Sequence, residues 1–215
     1  MCNLWLKSGI VKSMVKIKIC GLSRECDIEA VNAAMPDFIG FVFAKSHRQV
    51  TARQASALRK KLCPSICAVG VFRNETMEAI QSIVADGTID IVQLHGDEDE
   101  GFISRVKTLT KKPVIKAIAV ESTDDIRAWQ NTCADYLLLD NRHGGSGECF
   151  DWGLIGNVKK PFFLAGGLNI ANIQAAIAQT HPFAVDISSG VETDKVKDAG
   201  KIREIVEKVL AYGVR

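Results

Sequence analysis

The sequence predicts the α/β class and, within it, a single-domain TIM (β/α)₈ barrel. Eight short β-rich runs alternate with helical patterns along 215 residues, a length that falls within the range of one such barrel. The strands read as continuous apolar stretches, as expected where helices cover a parallel sheet. All five prolines (Pro36, Pro64, Pro113, Pro161 and Pro182) fall where a helix gives way to a strand. Proline fixes φ and removes an N–H, which suits rigid turns on a structural face. The loops at the other strand ends are instead rich in Gly, Ser, Asp and His, as a binding face requires. A doubly wound open sheet is the alternative, but no G-x-G-x-x-G follows the first strand.

In chain order, residues 1–13 (MCNLWLKSGIVKS) read as an N-terminal extension, and residues 14–215 as the barrel. The run KIKIC, Lys16 to Cys20, is the first strand. Ile28, Val31 and Met35 then share one helical face until Pro36, and Phe38 to Phe43 is the second strand. Thr51 with Gln54 forms a capping box for a helix whose Ala55, Leu58 and Leu62 face inward. Ile66 to Phe72 is the third strand. Asn74 is expected to cap the next helix, which buries Met77, Ile80 and Val84. Ile89 to Leu94 is the fourth strand, and a helix covers Asp99 to Leu109. Val114 to Val120 follows as the fifth strand, and Ser122 with Asp125 opens a helix ending near Asn131. The sixth strand, Tyr136 to Asp140, runs into a glycine-rich loop and a short helical piece around Leu154. Phe162 to Ala165 and Phe183 to Ile187 are the last strands, and the final helix is expected from about Asp194 to Ala211.

Composition narrows the function. Hydrophobic residues make up 47% and charged residues 24%, as in an ordinary globular domain. A formal charge of +2 offers no nucleic-acid footprint, and no apolar run is long enough for a membrane span. The seven cysteines include no C-x-x-C pair, which argues against a zinc site or disulfide framework and for a reducing cytoplasm.

Chemistry in a barrel gathers at the carboxyl ends of its strands. Gly166-Gly167 and Ser188-Ser189-Gly190 follow the last two strands, where their amides and hydroxyls can cradle a phosphate; the alternative is two ordinary tight turns. Cys20 ends the first strand, where chemistry gathers, though a free cysteine is most often a small buried hydrophobe. Asp140 ends the sixth after three leucines, where a carboxylate is costly unless paired or working. Arg48 can fork onto a carboxylate or stay a surface charge. Gln93, His95 and Asp186 are substrate-proximal by position. His95 can serve as a general base or only brace its loop, and Asp186 can orient a sugar hydroxyl or bond neighbouring backbone. Lys116 can form a Schiff base or pair with a carboxylate.

The motifs KICGL (Lys18 to Leu22), FVFAKSHR (Phe41 to Arg48) and VQLHGDE (Val92 to Glu98) occur in order with LLLD, GGSGECFDW, FLAGGL and VDISSGVE. Together they make the chain resemble the phosphoribosylanthranilate isomerases of tryptophan biosynthesis, from about Met14 to the C-terminus. The resemblance implies an Amadori rearrangement of a phosphorylated sugar, with Cys20 as general base and Asp140 as general acid. It also implies that Arg48 binds the anthranilate carboxylate and that Gly166, Gly167, Ser188, Ser189 and Gly190 hold the phosphate. No cofactor or metal is expected, nor a nucleic-acid or membrane partner, and a monomer is expected rather than a dimer. His47 stands where the family usually has proline, Glu148 replaces a frequent lysine, and only Asn141, Arg142 and His143 separate Asp140 from Gly144. Two other readings stand beside it, a histidine-pathway sugar isomerase and a non-catalytic phosphate-binding barrel. The first predicts aspartate where Cys20 stands; the second needs neither Cys20 nor Asp140.

Overall fold

The computed structural model describes residues 15–141 and 149–212. Eight parallel strands close into a barrel in chain order. They are β1 (Lys16–Cys20), β2 (Phe38–Val42), β3 (Cys67–Phe72), β4 (Ile91–Leu94), β5 (Val114–Ala119), β6 (Tyr136–Asp140), β7 (Phe162–Leu164) and β8 (Ala184–Ile187). Closure comes from β8 pairing with β1, with Lys18 beside Asp186 in the register. The surrounding helices are α1 (Glu25–Ala34), α2 (Ala52–Arg59), α3 (Met77–Ala85), α4 (Glu100–Thr110), α5 (Thr123–Ala128), α6 (Ile173–Thr180) and α7 (Ala199–Tyr212). Among the described residues between β6 and β7, the helical piece is a 3₁₀ turn, Trp152–Leu154. A small antiparallel hairpin, β9 (Glu192–Thr193) and β10 (Val196–Lys197), lies between β8 and α7.

The barrel follows from the period-two alternation of side chains along each strand. On β1, Ile17 and Ile19 pack in the cluster between sheet and helices, which leaves Lys18 and Cys20 facing inward. The inner cluster, including Phe38, Val69, Ile115, Leu138 and Phe163, fills the lower half of the barrel. Near the strand N-termini, the rings of Phe38, Tyr136, Phe163 and Phe183 pack with centroids 5.1–6.4 Å apart. Above them the inward positions turn polar, and that change of layer creates the site. The prolines all precede strands on the lower face, as expected.

Local sequence explains most helix starts. Thr51 caps α2 through Oγ1, which accepts from the Gln54 amide at 3.2 Å, while Gln54 Oε1 accepts from the Thr51 amide at 2.9 Å. Three expectations need correction. Met35 does not continue the buried face of α1: it is the left-handed C-cap, φ 55°, and is exposed. Asn74 does not cap α3. Thr76 does, and Asn74 sits at φ 52°, a conformation asparagine tolerates better than most residues. The final helix begins at Ala199 rather than near Asp194, because Asp194 and Lys195 take left-handed φ values that turn β9 into β10. The extension at residues 1–13 and the glycine-rich loop with Glu148 lie outside the described residues.

Candidate active site

The upper ends of the strands surround a cleft of about 1190 Å³. Cys20 closes β1 and opens into this cleft, and Gly40, its register partner on β2, makes room for it. A Cβ at Gly40 would lie 2.6 Å from the Cys20 Sγ. Burial pushes the Cys20 thiol above its ordinary range. The ammonium groups of Lys18 and Lys197 draw it down in part, and the Asp186 carboxylate pushes it up further. Lys18 is fully buried two residues earlier on the same inward face. Its Nζ meets Asp186 Oδ2 at 2.8 Å, and that pairing outweighs desolvation and holds the lysine charged. The other oxygen of Asp186, Oδ1, is buried without a hydrogen-bond partner, and Asp186 lines the cleft. A substrate hydroxyl is the kind of donor such an orphaned acceptor needs.

Asp140 lies on β6 and faces the same cleft. Its Oδ1 accepts from the Asn141 amide at 2.8 Å, and its Oδ2 lies 3.4 Å from His95 Nε2. Gln93 Nε2 stands 2.9 Å from His95 Nδ1. An amide nitrogen donates, so Nδ1 accepts and the ring proton sits on Nε2, toward Asp140. Gln93 Oε1 is a second buried acceptor left without a partner at the cleft wall. Lys116 shares the helix-facing side of β5 with Val114 and Ile118. Its Nζ is bound to Glu98 at 2.9 Å and to the Gly96 carbonyl at 2.6 Å, so the carboxylate-paired reading holds over the Schiff-base one.

The two loops after β7 and β8 line one side of the cleft through Gly166, Gly167, Ser188 and Ser189. Gly166 and Gly167 have φ of 83° and 64°. The Gly167 carbonyl is turned back onto Asn169 and Asn172, 3.2 and 3.0 Å away. Gly190 lies behind this lining: it bridges to Asn169, and a Cβ there would strike the Leu168 carbonyl. Close approach of the loops therefore requires glycine at 190.

Arg48 also lines the cleft, but its fork is engaged. Nε and Nη2 donate to Glu192 Oε1 and Oε2 at 2.7 and 2.8 Å. Lys197 Nζ donates to the same Oε1 at 2.7 Å and to the Ser188 carbonyl at 2.8 Å. Burial raises the Glu192 carboxyl, yet the hydrogen bonds from Arg48 and Lys197 prevail and hold it at about 2. His47 remains half-exposed, its Nε2 4.0 Å from Glu192 Oε2.

The cleft thus brings together Cys20, Asp140, Arg48, Gln93, His95, Asp186 and the two loops, with Gly190 one layer behind. Sequence reasoning gave no role to Lys18, Glu192, Lys197 or Gly40. Lys18 was within reach, since alternation places it beneath Cys20. Nothing local marks Glu192 as the partner of Arg48, 144 positions away, or Lys197 as the cation that shares its carboxylate.

A closed barrel of eight parallel strands with a cleft at their carboxyl ends places the protein in the (β/α)₈-barrel class, whose active sites gather at that end. Residues 17–208 match the family model for N-(5'phosphoribosyl)anthranilate (PRA) isomerase. An N-(5'-phosphoribosyl)anthranilate isomerase of Endomicrobium trichonymphae is 48% identical, the match covering 90% of this chain and 98% of the relative. The Clostridium acetobutylicum counterpart is 45% identical, over 93% of this chain and all of the relative. The crystal structure of the Thermotoga maritima isomerase superposes with a TM-score of 0.85 at 35% identity, over 92% of this chain and 100% of that one. A further isomerase structure, in complex with reduced 1-(o-carboxyphenylamino)-1-deoxyribulose 5-phosphate, has a TM-score of 0.83 at 33% identity, over 92% of this chain and 100% of that one. The chain belongs to the phosphoribosylanthranilate isomerase family.

Proposed function

We propose that Cys20 and Asp140 make the two proton transfers of this family's reaction. That reaction is the Amadori rearrangement of N-(5-phospho-β-D-ribosyl)anthranilate to 1-(2-carboxyphenylamino)-1-deoxy-D-ribulose 5-phosphate, an aldose–ketose isomerisation in L-tryptophan biosynthesis. The observation that carries the assignment is the convergence of both side chains, from β1 and β6, on one cleft beside two orphaned polar acceptors.

Asp140, protonated, donates to the ring oxygen and the furanose opens to an iminium. His95, which points an N–H at Asp140, steadies the carboxylate left behind, and the proton taken from C2 returns to Asp140 through solvent at the end of the cycle. The Cys20 thiolate then removes the proton from C2 of the sugar, giving an enolamine that tautomerises to the ketose. Burial keeps the resting thiol protonated, so its thiolate is scarce but strongly basic, and the adjacent iminium cation favours its formation. Acid and base catalysis each contribute about 10² to 10⁴, together about 5 to 11 kcal/mol. Asp186 Oδ1 and Gln93 Oε1 accept from sugar hydroxyls, Arg48 receives the anthranilate carboxylate, and the loops at Gly166-Gly167 and Ser188-Gly190 receive the phosphate.

The cysteine at 20 favours this family over a histidine-pathway isomerase, and the acid and base in one cleft favour catalysis over mere binding. Among the described residues, the large apolar side chains that are exposed, Met35, Leu109, Val196 and Leu210, lie on separate elements, which supports a monomer. Cys20, Cys26, Cys63, Cys133 and Cys149 are free thiols, which supports a cytoplasmic setting. The deciding experiment follows the fluorescence of the substrate as it is consumed. Cys20→Ala and Asp140→Asn should each lower kcat by about 10² or more while the substrate still binds. An active Cys20→Ala enzyme would end the assignment of the base.

A further inference from the structure

The β9–β10 hairpin touches both ends of the cleft. Glu192 opens β9 and Lys197 closes β10, directly paired across the hairpin. Glu192 occupies the Nε–Nη2 side of Arg48, which leaves the Nη1 edge of the guanidinium as the part not engaged by it. Lys197 is buried, and its Nζ joins the Glu192 carboxylate to the Ser188 carbonyl, with Ser188 Oγ at 3.3 Å. Ser188 Oγ in turn donates to the Cys20 carbonyl at 3.1 Å. An unbroken chain of contacts therefore runs from Arg48, through the hairpin, to the loop after β8 and the end of β1. The hairpin is itself anchored: Arg24 Nη2 donates to the Lys197 carbonyl at 3.0 Å, and Lys201 Nζ to the Glu192 carbonyl at 2.8 Å.

We propose that Glu192 and Lys197 are positioning residues that fix the spacing between the carboxylate-binding and phosphate-binding ends of the substrate site. Glu192 sets the angle of Arg48 so that its remaining edge meets the substrate carboxylate, and Lys197 ties that same carboxylate to the phosphate loop. The inference rests on the reading of Arg48 as the group that receives the anthranilate carboxylate. A guanidinium on a free side chain must be ordered by the ligand that binds it, at the cost of its rotamer freedom. One already clamped by a bidentate carboxylate is preorganised, and the substrate gains the difference.

The test measures binding of two ligands to the full chain. One is the reduced product analogue carrying the ring carboxylate, and the other is its aniline counterpart lacking that carboxylate. Arg48→Ala should lower the preference for the carboxylated ligand by at least tenfold, and Glu192→Gln should lower it by about three- to tenfold, with KM raised more than kcat is lowered. Glu192→Asp keeps the charge but withdraws it by one methylene, and it should lose the same preference in a protein that folds. Because Glu192 acts through Arg48, the double variant Arg48→Ala/Glu192→Gln should discriminate no less than Arg48→Ala alone. Lys197→Met should weaken both ligands and inorganic phosphate together. If Arg48→Ala loses the preference but Glu192→Gln and Glu192→Asp keep it, the positioning role is overturned while the reading of Arg48 stands. If Arg48→Ala itself keeps the preference, the reading of Arg48 falls and the inference with it.

Discussion

Lys18 and Asp186 form an ion pair whose two side chains are 0% and 7% exposed, directly below Cys20. Replacing Lys18 with Met keeps the length and apolar stem of the side chain but strands the Asp186 carboxylate. Breaking a buried pair from one side costs about 3–5 kcal/mol, because a charge is left without compensation. For a domain of this size each kcal/mol moves Tm by about 2–4 °C, so the expected fall is about 6–20 °C. Lys18→Met/Asp186→Leu removes both charges and should recover much of that loss. The same substitution acts on the neighbouring thiol. Lys18 pulls the Cys20 titration down and Asp186 pushes it up, so without the lysine the thiolate forms only at higher pH. Urea unfolding measures the first effect. The second is read from the pH dependence of Cys20 alkylation, followed by mass spectrometry of its peptide. A loss below about 1 kcal/mol, the range of an exposed pair, would refute the energetic argument. A midpoint of alkylation that moved down would refute the electrostatic one.

Glu192 titrates at about 2 rather than 4.5, so the stabilisation it supplies is complete above the upper value and is lost as pH falls toward the lower one. The difference corresponds to about 3 kcal/mol, and the stability gap between the native chain and Glu192→Gln in urea should shrink from about pH 5 downward and close near pH 2. A gap that stays constant on acidification would show that another interaction carries it. Gly190→Ala should force the loops after β7 and β8 apart, cost about 1–3 kcal/mol, and, on the proposed phosphate role, reduce the thermal protection given by inorganic phosphate. Unchanged protection would mean that the loops do not act as one cradle. Deleting residues 1–13, which precede β1, should leave kcat and Tm nearly unchanged; a loss of several degrees would give that segment a structural role.

The barrel was legible because its signals are local and repeated. Apolar runs such as Tyr136–Asp140 matched a strand residue for residue, and the Thr51–Gln54 capping box marked the start of α2. The prolines separated the lower face from the upper before any contact was known. Misreadings arose where backbone conformation overrode residue type. The final helix was expected from about Asp194, but the left-handed turn at Asp194 and Lys195 spends that stretch on a hairpin. The residues of the cleft were legible as strand ends, whereas their partners were not. Arg48 met Glu192 and Lys18 met Asp186 only because closing the barrel brings the last strand against the first. Pairings of that kind belong to topology, and period or spacing along the chain does not encode them.

The four aromatic rings at the strand N-termini fill one mouth of the barrel, while the cleft opens at the other. Substrate and product must then share one doorway, so each excludes the other, and turnover cannot proceed by through-passage. The filled end has an evolutionary consequence as well. Phe38, Tyr136, Phe163 and Phe183 do not line the cleft, so drift in their shape is felt first as melting temperature. The loops above can vary for specificity while the rings below vary for heat tolerance. A lineage carrying this barrel can therefore adapt to a new temperature and to a new substrate along two nearly independent axes.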